Sequence, residues 1–180
     1  NLLDDRLKAA GQPRTGVVNA GISGNRWVHD FWGPSGTSRF ERDVLSVSGV
    51  THALLLMGIN DIGFSVEPFP SQPVTAQQLI ASIAAAATSA RARGIKVLLG
   101  TLPPFRPAGY YSDEGEAKRQ AVNAWIRSRP DGMGVVDFDA ALRDGADPTR
   151  LNPAYDSGDH LHPNDAGYKA MAQAVDLATL

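Results

Sequence analysis

The residues best suited to chemistry lie in the segment GDHLHPNDAGY, residues 158–168. Asp159 precedes His162 by three positions, and Pro163 follows the histidine directly. A histidine can accept a proton near neutral pH because its unperturbed pKa is about 6.5. A neighbouring carboxylate can hold the ring in the tautomer that this transfer needs. The spacing therefore makes Asp159 and His162 candidates for a proton-transfer pair.

Two earlier segments carry groups suited to stabilising negative charge. NAGISGN, residues 19–25, contains Gly24, whose backbone N–H can approach a substrate closely because glycine has no side chain. GIND, residues 58–61, contains Asn60, whose amide is a donor. N–H donors fixed beforehand can stabilise negative charge that develops on an oxygen atom. The two segments therefore carry candidate hydrogen-bond donors for such a charge.

The hydrophobic pattern predicts the elements that position these residues. Buried strands are expected at TGVVNAG (15–21), THALLLMGI (51–59), KVLLGTL (96–102) and GVVDFD (134–139). Helices are expected from Leu2 to Gly11, near 37–47, from a Thr75/Gln78 capping box to Gly94, over 113–129 and over 165–177. Strands that alternate with helices favour a parallel sheet covered by helices on both faces. Ligand sites of such sheets lie beyond the carboxyl ends of the strands.

Composition narrows the class of protein. The chain has 180 residues, a length that suits one domain over 1–180. Its net charge of −2 does not favour electrostatic binding to nucleic acid or to an anionic membrane. It has no cysteine, which excludes disulfides, thiol catalysis and thiolate metal sites. The longest apolar run, ALLLMGI, is the length of a strand rather than of a membrane span.

Taken in order, the segments at 19–25, 58–61 and 159–164 resemble the SGNH, or GDSL-type, hydrolase family, which is named for a Ser, a Gly, an Asn and a His in four sequence blocks. The resemblance implies that Gly24 and Asn60 form the oxyanion hole, that His162 is the general base and that Asp159 orients it. It also implies a three-layer, flavodoxin-like α/β/α sandwich with parallel strands in the order 2-1-3-4-5.

The function implied by this resemblance is serine ester hydrolysis through an acyl-enzyme, with no metal or cofactor. The implied partner is a small-molecule or carbohydrate ester. The loops 27–36, 64–73 and 103–112 carry aromatic residues and prolines rather than a long apolar lid. That composition favours short-chain or carbohydrate acetyl esters over lipids.

The chain departs from the family pattern at its beginning, because no GDS block is present. The first residues follow the pattern of the helix that should come after that block. Strand 1 and its serine are therefore expected upstream of Asn1, in an N-terminal fragment of the same protein that forms a separate chain. Since strand 1 lies between strands 2 and 3, the 180 residues are not expected to fold alone.

Other interpretations of the same residues stay open. GISGN nearly matches the G-x-S-x-G motif of α/β-hydrolases, which would make Ser23 the nucleophile, but Asn25 stands where the second glycine belongs. Asp156 is an alternative to Asp159 as the acid. A non-catalytic, flavodoxin-like binding module is a third reading of the whole chain.

Structural roles are also open at the same positions. Asp159 and His162 could belong to an ordinary helix-entry loop, with His160 as a structural or solvent-facing residue. Asn60 and Asp61 could both cap the end of a strand, and Asp61 is interpreted in this way. Asn25 is given no role.

Overall fold

The structure is a computed structural model that describes residues 2–12, 15–66, 68–128 and 130–180. Its sheet has three strands in the spatial order β1-β2-β3: His52–Leu55 (β1), Lys96–Gly100 (β2) and Gly134–Val136 (β3). β1 and β2 run parallel, with His52 opposite Lys96 and Leu55 opposite Leu99. The class is α/β, as the sequence predicts, and the order fits that expected for the last three strands of the fold.

Seven α-helices lie in the described part of the chain: Leu2–Ala9 (α1), Gly36–Phe40 (α2), Ile59–Phe64 (α3), Ala76–Ala92 (α4), Asp113–Arg127 (α5), Phe138–Leu142 (α6) and Asp165–Ala174 (α7). A π-helical turn, Glu41–Leu45, continues α2. The predicted capping box begins α4: the Thr75 hydroxyl accepts from the Gln78 N–H at 3.1 Å, and the Gln78 side chain accepts from the Thr75 N–H at 2.8 Å.

The prediction of a buried strand at TGVVNAG is wrong. Residues 15–22 form neither helix nor strand, and the side chain of Val18 is 77% exposed. An apolar run becomes a strand only where a neighbouring strand pairs with its backbone. In the described residues the sheet has only three strands, and none of them is paired with this segment.

The strand predicted at THALLLMGI is shorter than expected. It ends at Leu55, and α3 begins at Ile59 after Gly58, whose φ of +121° is a conformation that glycine adopts readily. Asn60 therefore lies in the first turn of a helix and not at the end of a buried strand. The sequence reasoning missed this helix because its six residues are too few to show a helical repeat.

The fold divides into two compact units. In the first, Asn1–Ala20, Pro103–Gly109 and Val136–Leu180, helix α7 packs against α1 and α6. In the second, Gly21–Leu102 and Tyr110–Val135, helix α4 packs against β2 and α5 around the buried side chains of Leu79, Ile83, Leu99 and Val122. None of the described helices combines the length and apolar character needed to cross a bilayer.

Candidate active site

Gly24 occupies a loop position at which only glycine can be accommodated. Its φ is +70°, and a Cβ at this position would overlap the indole ring of Trp32. The backbone N–H of Gly24 has no hydrogen-bond acceptor among the described residues. A donor without an acceptor, beside a Cα that carries no side chain, is what close approach to a substrate oxygen requires.

Asn25 holds the rest of this loop in place. Its buried side-chain amide donates to the carbonyl oxygens of Trp32 at 3.1 Å and Pro34 at 2.9 Å. Its oxygen accepts from Nε and Nη2 of Arg39 at 3.2 and 3.0 Å, and Arg39 also pairs with Asp43. Asn25 therefore has a structural role that the sequence analysis did not assign.

Asp61, which lies on α3, also holds this loop in place. Its carboxylate, 1% exposed, accepts from the backbone N–H groups of Trp27 at 2.6 Å and Val28 at 2.8 Å. Burial raises the pKa of the Asp61 carboxyl, and these two N–H groups act in the opposite direction. The interpretation of Asp61 as a strand-end cap is wrong, because its partners lie more than thirty residues earlier in the chain.

Both the nitrogen and the oxygen of the Asn60 side-chain amide are hydrogen-bonded. Its Nδ2 donates to the carbonyl oxygen of Asn25 at 3.0 Å, and its Oδ1 accepts from the hydroxyl of Tyr110 at 3.1 Å. An amide nitrogen carries two hydrogens, and the second has no acceptor in the described part of the chain. The structure thus places the Asn60 amide in contact with Asn25, the residue that follows Gly24. Among the described residues, one amide N–H is left without an acceptor and can donate to a ligand.

Asp159 and His162 form the hydrogen bond that the sequence predicts, with 2.6 Å between Oδ2 and Nδ1. The Asp159 carboxylate also accepts from the backbone N–H groups of Leu161 and His162 and from the Ser157 hydroxyl. Burial by itself raises the pKa of the Asp159 carboxyl, but the hydrogen bonds, led by that of the His162 ring, outweigh it and hold this pKa well below its usual range.

This ionisation fixes the roles of the two ring nitrogens. A carboxylate can only accept, so Nδ1 of His162 carries the hydrogen in the contact with Asp159. In the neutral ring, Nε2 then holds the free lone pair. His162 can therefore take a proton at Nε2, and its side chain is 53% exposed in the described structure.

The structure contains a second aspartate–histidine pair that the sequence analysis did not foresee. His160 Nδ1 lies 2.6 Å from Asp156 Oδ2, and Asp156 also accepts from the backbone N–H groups of Gly158 and His160. His160 has a φ of +63°, which is uncommon for a residue with a side chain. The spacing of the two residues, with three between them, is the signal that could have revealed the pair.

Ser23 lacks the setting of a nucleophile elbow. It is exposed in a turn, residues 15–22 before it form no strand, and the next helix begins only at Gly36. The G-x-S-x-G motif works through a sharp strand-to-helix turn that presents the serine. That context is absent around Ser23.

The predicted site residues thus fall into two groups. Gly24 and Asn60 lie together in the second compact unit, and Asp159 and His162 lie together in the first. Their meeting around one cleft stays a prediction. Within the described ranges, no three His, Asp or Glu side chains are grouped so that they could hold a metal ion.

Comparison with known proteins gives one family and several similar structures. The model of the GDSL-like lipase/acylhydrolase family matches residues 1–170. No curated protein matches the chain.

Solved structures resemble the chain in fold. A GDSL-like lipase from Bacteroides thetaiotaomicron is 24% identical with a TM-score of 0.77, over 97% of this chain and 78% of that one. The acetyl xylan esterase AlAXEase is 21% identical with a TM-score of 0.72, over 96% and 86%. A catalytic serine-to-alanine mutant of Axe2, an acetylxylan esterase from Geobacillus stearothermophilus, is 23% identical with a TM-score of 0.66, over 87% and 68%.

Proposed function

The chain belongs to the GDSL-like lipase/acylhydrolase family, and on that premise we propose that it hydrolyses esters through a serine acyl-enzyme. The observation that carries the proposal is the Asn60 amide, which is held against the Gly24 loop with one N–H that has no acceptor among the residues that the structure describes. Two N–H donors in a fixed arrangement are the requirement for stabilising a tetrahedral oxyanion.

The first half of the reaction uses both groups of residues. His162 Nε2 removes the proton of a serine hydroxyl while the serine oxygen attacks the ester carbonyl. The carbonyl oxygen becomes an oxyanion that accepts from Gly24 N–H and Asn60 Nδ2–H. His162 then gives the proton to the departing alcohol oxygen, and the C–O bond breaks to leave the acyl-enzyme.

The second half repeats these steps with water. His162 removes a proton from water, the hydroxyl adds to the acyl carbon, and the same two donors hold the new oxyanion. Collapse releases the carboxylic acid and returns the proton to the serine. Asp159 stays ionised throughout and stabilises the imidazolium that forms at each step.

We propose that the serine comes from a segment of the protein outside these 180 residues, which also supplies a strand next to β1. β1 is an edge strand whose paired neighbour in the described sheet is β2 alone. Leu54, in the middle of β1, is 40% exposed, although its sequence context is that of a buried strand. The outer edge of β1 presents backbone N–H and C=O groups that no strand of the described sheet pairs with, and such an edge favours pairing with another strand.

Short acyl groups on small or carbohydrate alcohols are the proposed substrates. Two of the structures that share this fold are described as acetylxylan esterases. In the Gly24 loop, the residue Trp32 is 57% exposed, and its ring stacks on Phe31 with 4.5 Å between ring centroids. An exposed ring beside the proposed oxyanion hole suits a sugar face better than a long acyl chain.

The proposal is tested by ester hydrolysis with the full-length protein. Acetyl, butyryl and palmitoyl esters of p-nitrophenol and acetylated xylo-oligosaccharides are compared, with His162→Ala as the inactive variant and Ser23→Ala as the test of the alternative nucleophile. Hydrolysis of acetyl esters that is lost in His162→Ala and kept in Ser23→Ala supports the proposal. Loss in Ser23→Ala would favour the elbow mechanism. A wild-type rate no higher than the rate in buffer would favour a binding module, and hydrolysis that persists in His162→Ala would contradict the role of His162.

A further inference from the structure

The Tyr110 ring packs against one face of α3, the helix that carries Asn60. Its ring occupies the space that a Cβ on Gly63 would need, and it packs edge-on against Phe64 with 5.3 Å between ring centroids. Gly63 and Phe64 lie three and four residues after Asn60, so all three share one face of α3. The absence of a side chain at Gly63 therefore allows the ring to lie close to the helix.

This placement aims the Tyr110 hydroxyl at the Asn60 amide oxygen, 3.1 Å away. The Asn25 carbonyl on the other end of the amide accepts from Nδ2 at 3.0 Å. The Asn25 carbonyl can only accept, so it selects the orientation of the amide plane that turns Nδ2 toward it. In that orientation Oδ1 faces Tyr110, whose hydroxyl donates to it and limits rotation of the amide.

The hydroxyl also acts on the charge distribution of the amide. A hydrogen bond to Oδ1 draws electron density from the nitrogen, and chains of hydrogen bonds strengthen one another in this way. The uncommitted N–H of Asn60 becomes a better donor as a result. The gain is largest when the acceptor carries a full negative charge, which occurs only in the transition state.

We propose that Tyr110 is a positioning residue of the reaction: through its hydrogen bond to Asn60 Oδ1 it fixes and polarises the amide that stabilises the oxyanion. This inference rests on the proposed function, because it needs Asn60 to be an oxyanion donor. Its role is to raise kcat without contributing to substrate binding.

Tyr111 provides a matched control in the next position. Its hydroxyl donates to Asp113 Oδ1, also at 3.1 Å, so Tyr111→Phe and Tyr110→Phe each remove one hydroxyl and one hydrogen bond to a side-chain oxygen. Only the bond of Tyr110 leads to Asn60. A difference between the two variants therefore measures the connection to the amide rather than the loss of a hydroxyl from this loop.

The experiment measures kcat and KM for p-nitrophenyl acetate with the full-length protein and four variants: Tyr110→Phe, Tyr111→Phe, Asn60→Ala and the double variant Asn60→Ala/Tyr110→Phe. We expect Tyr110→Phe to lower kcat about 3- to 10-fold, the contribution of one neutral hydrogen bond. KM and Tm should stay at the wild-type values. Tyr111→Phe should match wild type in kcat, and the double variant should match Asn60→Ala.

The four variants separate the two proposals. If Asn60→Ala lowers kcat but Tyr110→Phe does not, the role of Tyr110 is refuted and the proposed function stands. If Tyr110→Phe lowers kcat equally with and without Asn60, the hydroxyl acts elsewhere and the inference is also refuted. If Asn60→Ala retains the wild-type kcat, Asn60 is not an oxyanion donor. That result refutes both the role proposed for Asn60 in ester hydrolysis and the role proposed for Tyr110.

Discussion

The side-chain amide of Asn60 donates to the backbone carbonyl of Asn25, with 3.0 Å between Nδ2 and O. This bond joins the first turn of α3 to the residue that follows Gly24. It places the amide against the loop that carries Gly24, and among the described residues neither the Gly24 N–H nor the second amide hydrogen has an acceptor. Four predictions follow from this contact and from the Asp159–His162 pair.

Asn60→Ala should lower kcat by about 10²–10³, the usual cost of losing one oxyanion-hole donor. KM should change little, because the amide acts on charge that develops only in the transition state. Steady-state kinetics on an activated acetyl ester measures both values, and a thermal melt confirms folding. A folded Asn60→Ala variant with wild-type kcat would mean that Asn60 serves only to hold the Gly24 loop.

Gly24→Ala should reduce kcat at least tenfold, because the added methyl meets Trp32 and must move the loop that carries the N–H donor. Gly94 is the matched control: its φ of +75° is close to the +70° of Gly24, but a Cβ there meets no atom of the described residues within 4 Å. Gly94→Ala should lose some stability and keep kcat. Equal kcat losses in the two variants would assign the effect to backbone strain alone.

Substitutions in the two aspartate–histidine pairs should have different effects on kcat, although the distance between Nδ1 and the carboxylate oxygen is 2.6 Å in both pairs. Asp159→Asn should lower kcat by about 10²–10⁴, since the amide no longer holds the required tautomer of His162. Asp156→Asn, the matched change in the second pair, should keep most of the activity. The reverse pattern in the same assay would make Asp156 and His160 the catalytic pair.

The lowered pKa of Asp159 predicts a pH dependence of stability. A carboxyl whose pKa is lower in the folded than in the unfolded state stabilises the fold above its unfolded pKa of about 3.9, and this stabilisation is lost as the pH falls toward the folded value. Asp159→Asn should therefore unfold more easily than wild type at pH 7, and the difference should shrink toward pH 2. Urea unfolding at several pH values measures it; a difference that does not change with pH would contradict the ionised pair.

The sequence predicted those parts of the fold that depend on local pattern. The α4 capping box needs only Thr75 and Gln78, three residues apart, and it forms as predicted. The Asp159–His162 bond is equally local. In both cases the partners lie within one turn of the chain, so spacing alone carries the information.

Features that depend on distant partners were missed or misread. TGVVNAG has the composition of a strand, but a strand needs a paired neighbour that the segment itself cannot specify. Asp61 binds N–H groups of Trp27 and Val28, and Tyr110 reaches Asn60 across fifty positions. No periodicity encodes such contacts, and only the folded chain shows them.

The central claim, a serine activated by His162, is tested most directly by labelling the full-length protein with a fluorophosphonate and mapping the modified peptide by mass spectrometry. This reagent forms a covalent bond with an activated serine oxygen. We expect one labelled serine, located outside these 180 residues, and no labelling in His162→Ala. A label on Ser23, or labelling that persists in His162→Ala, would contradict the account.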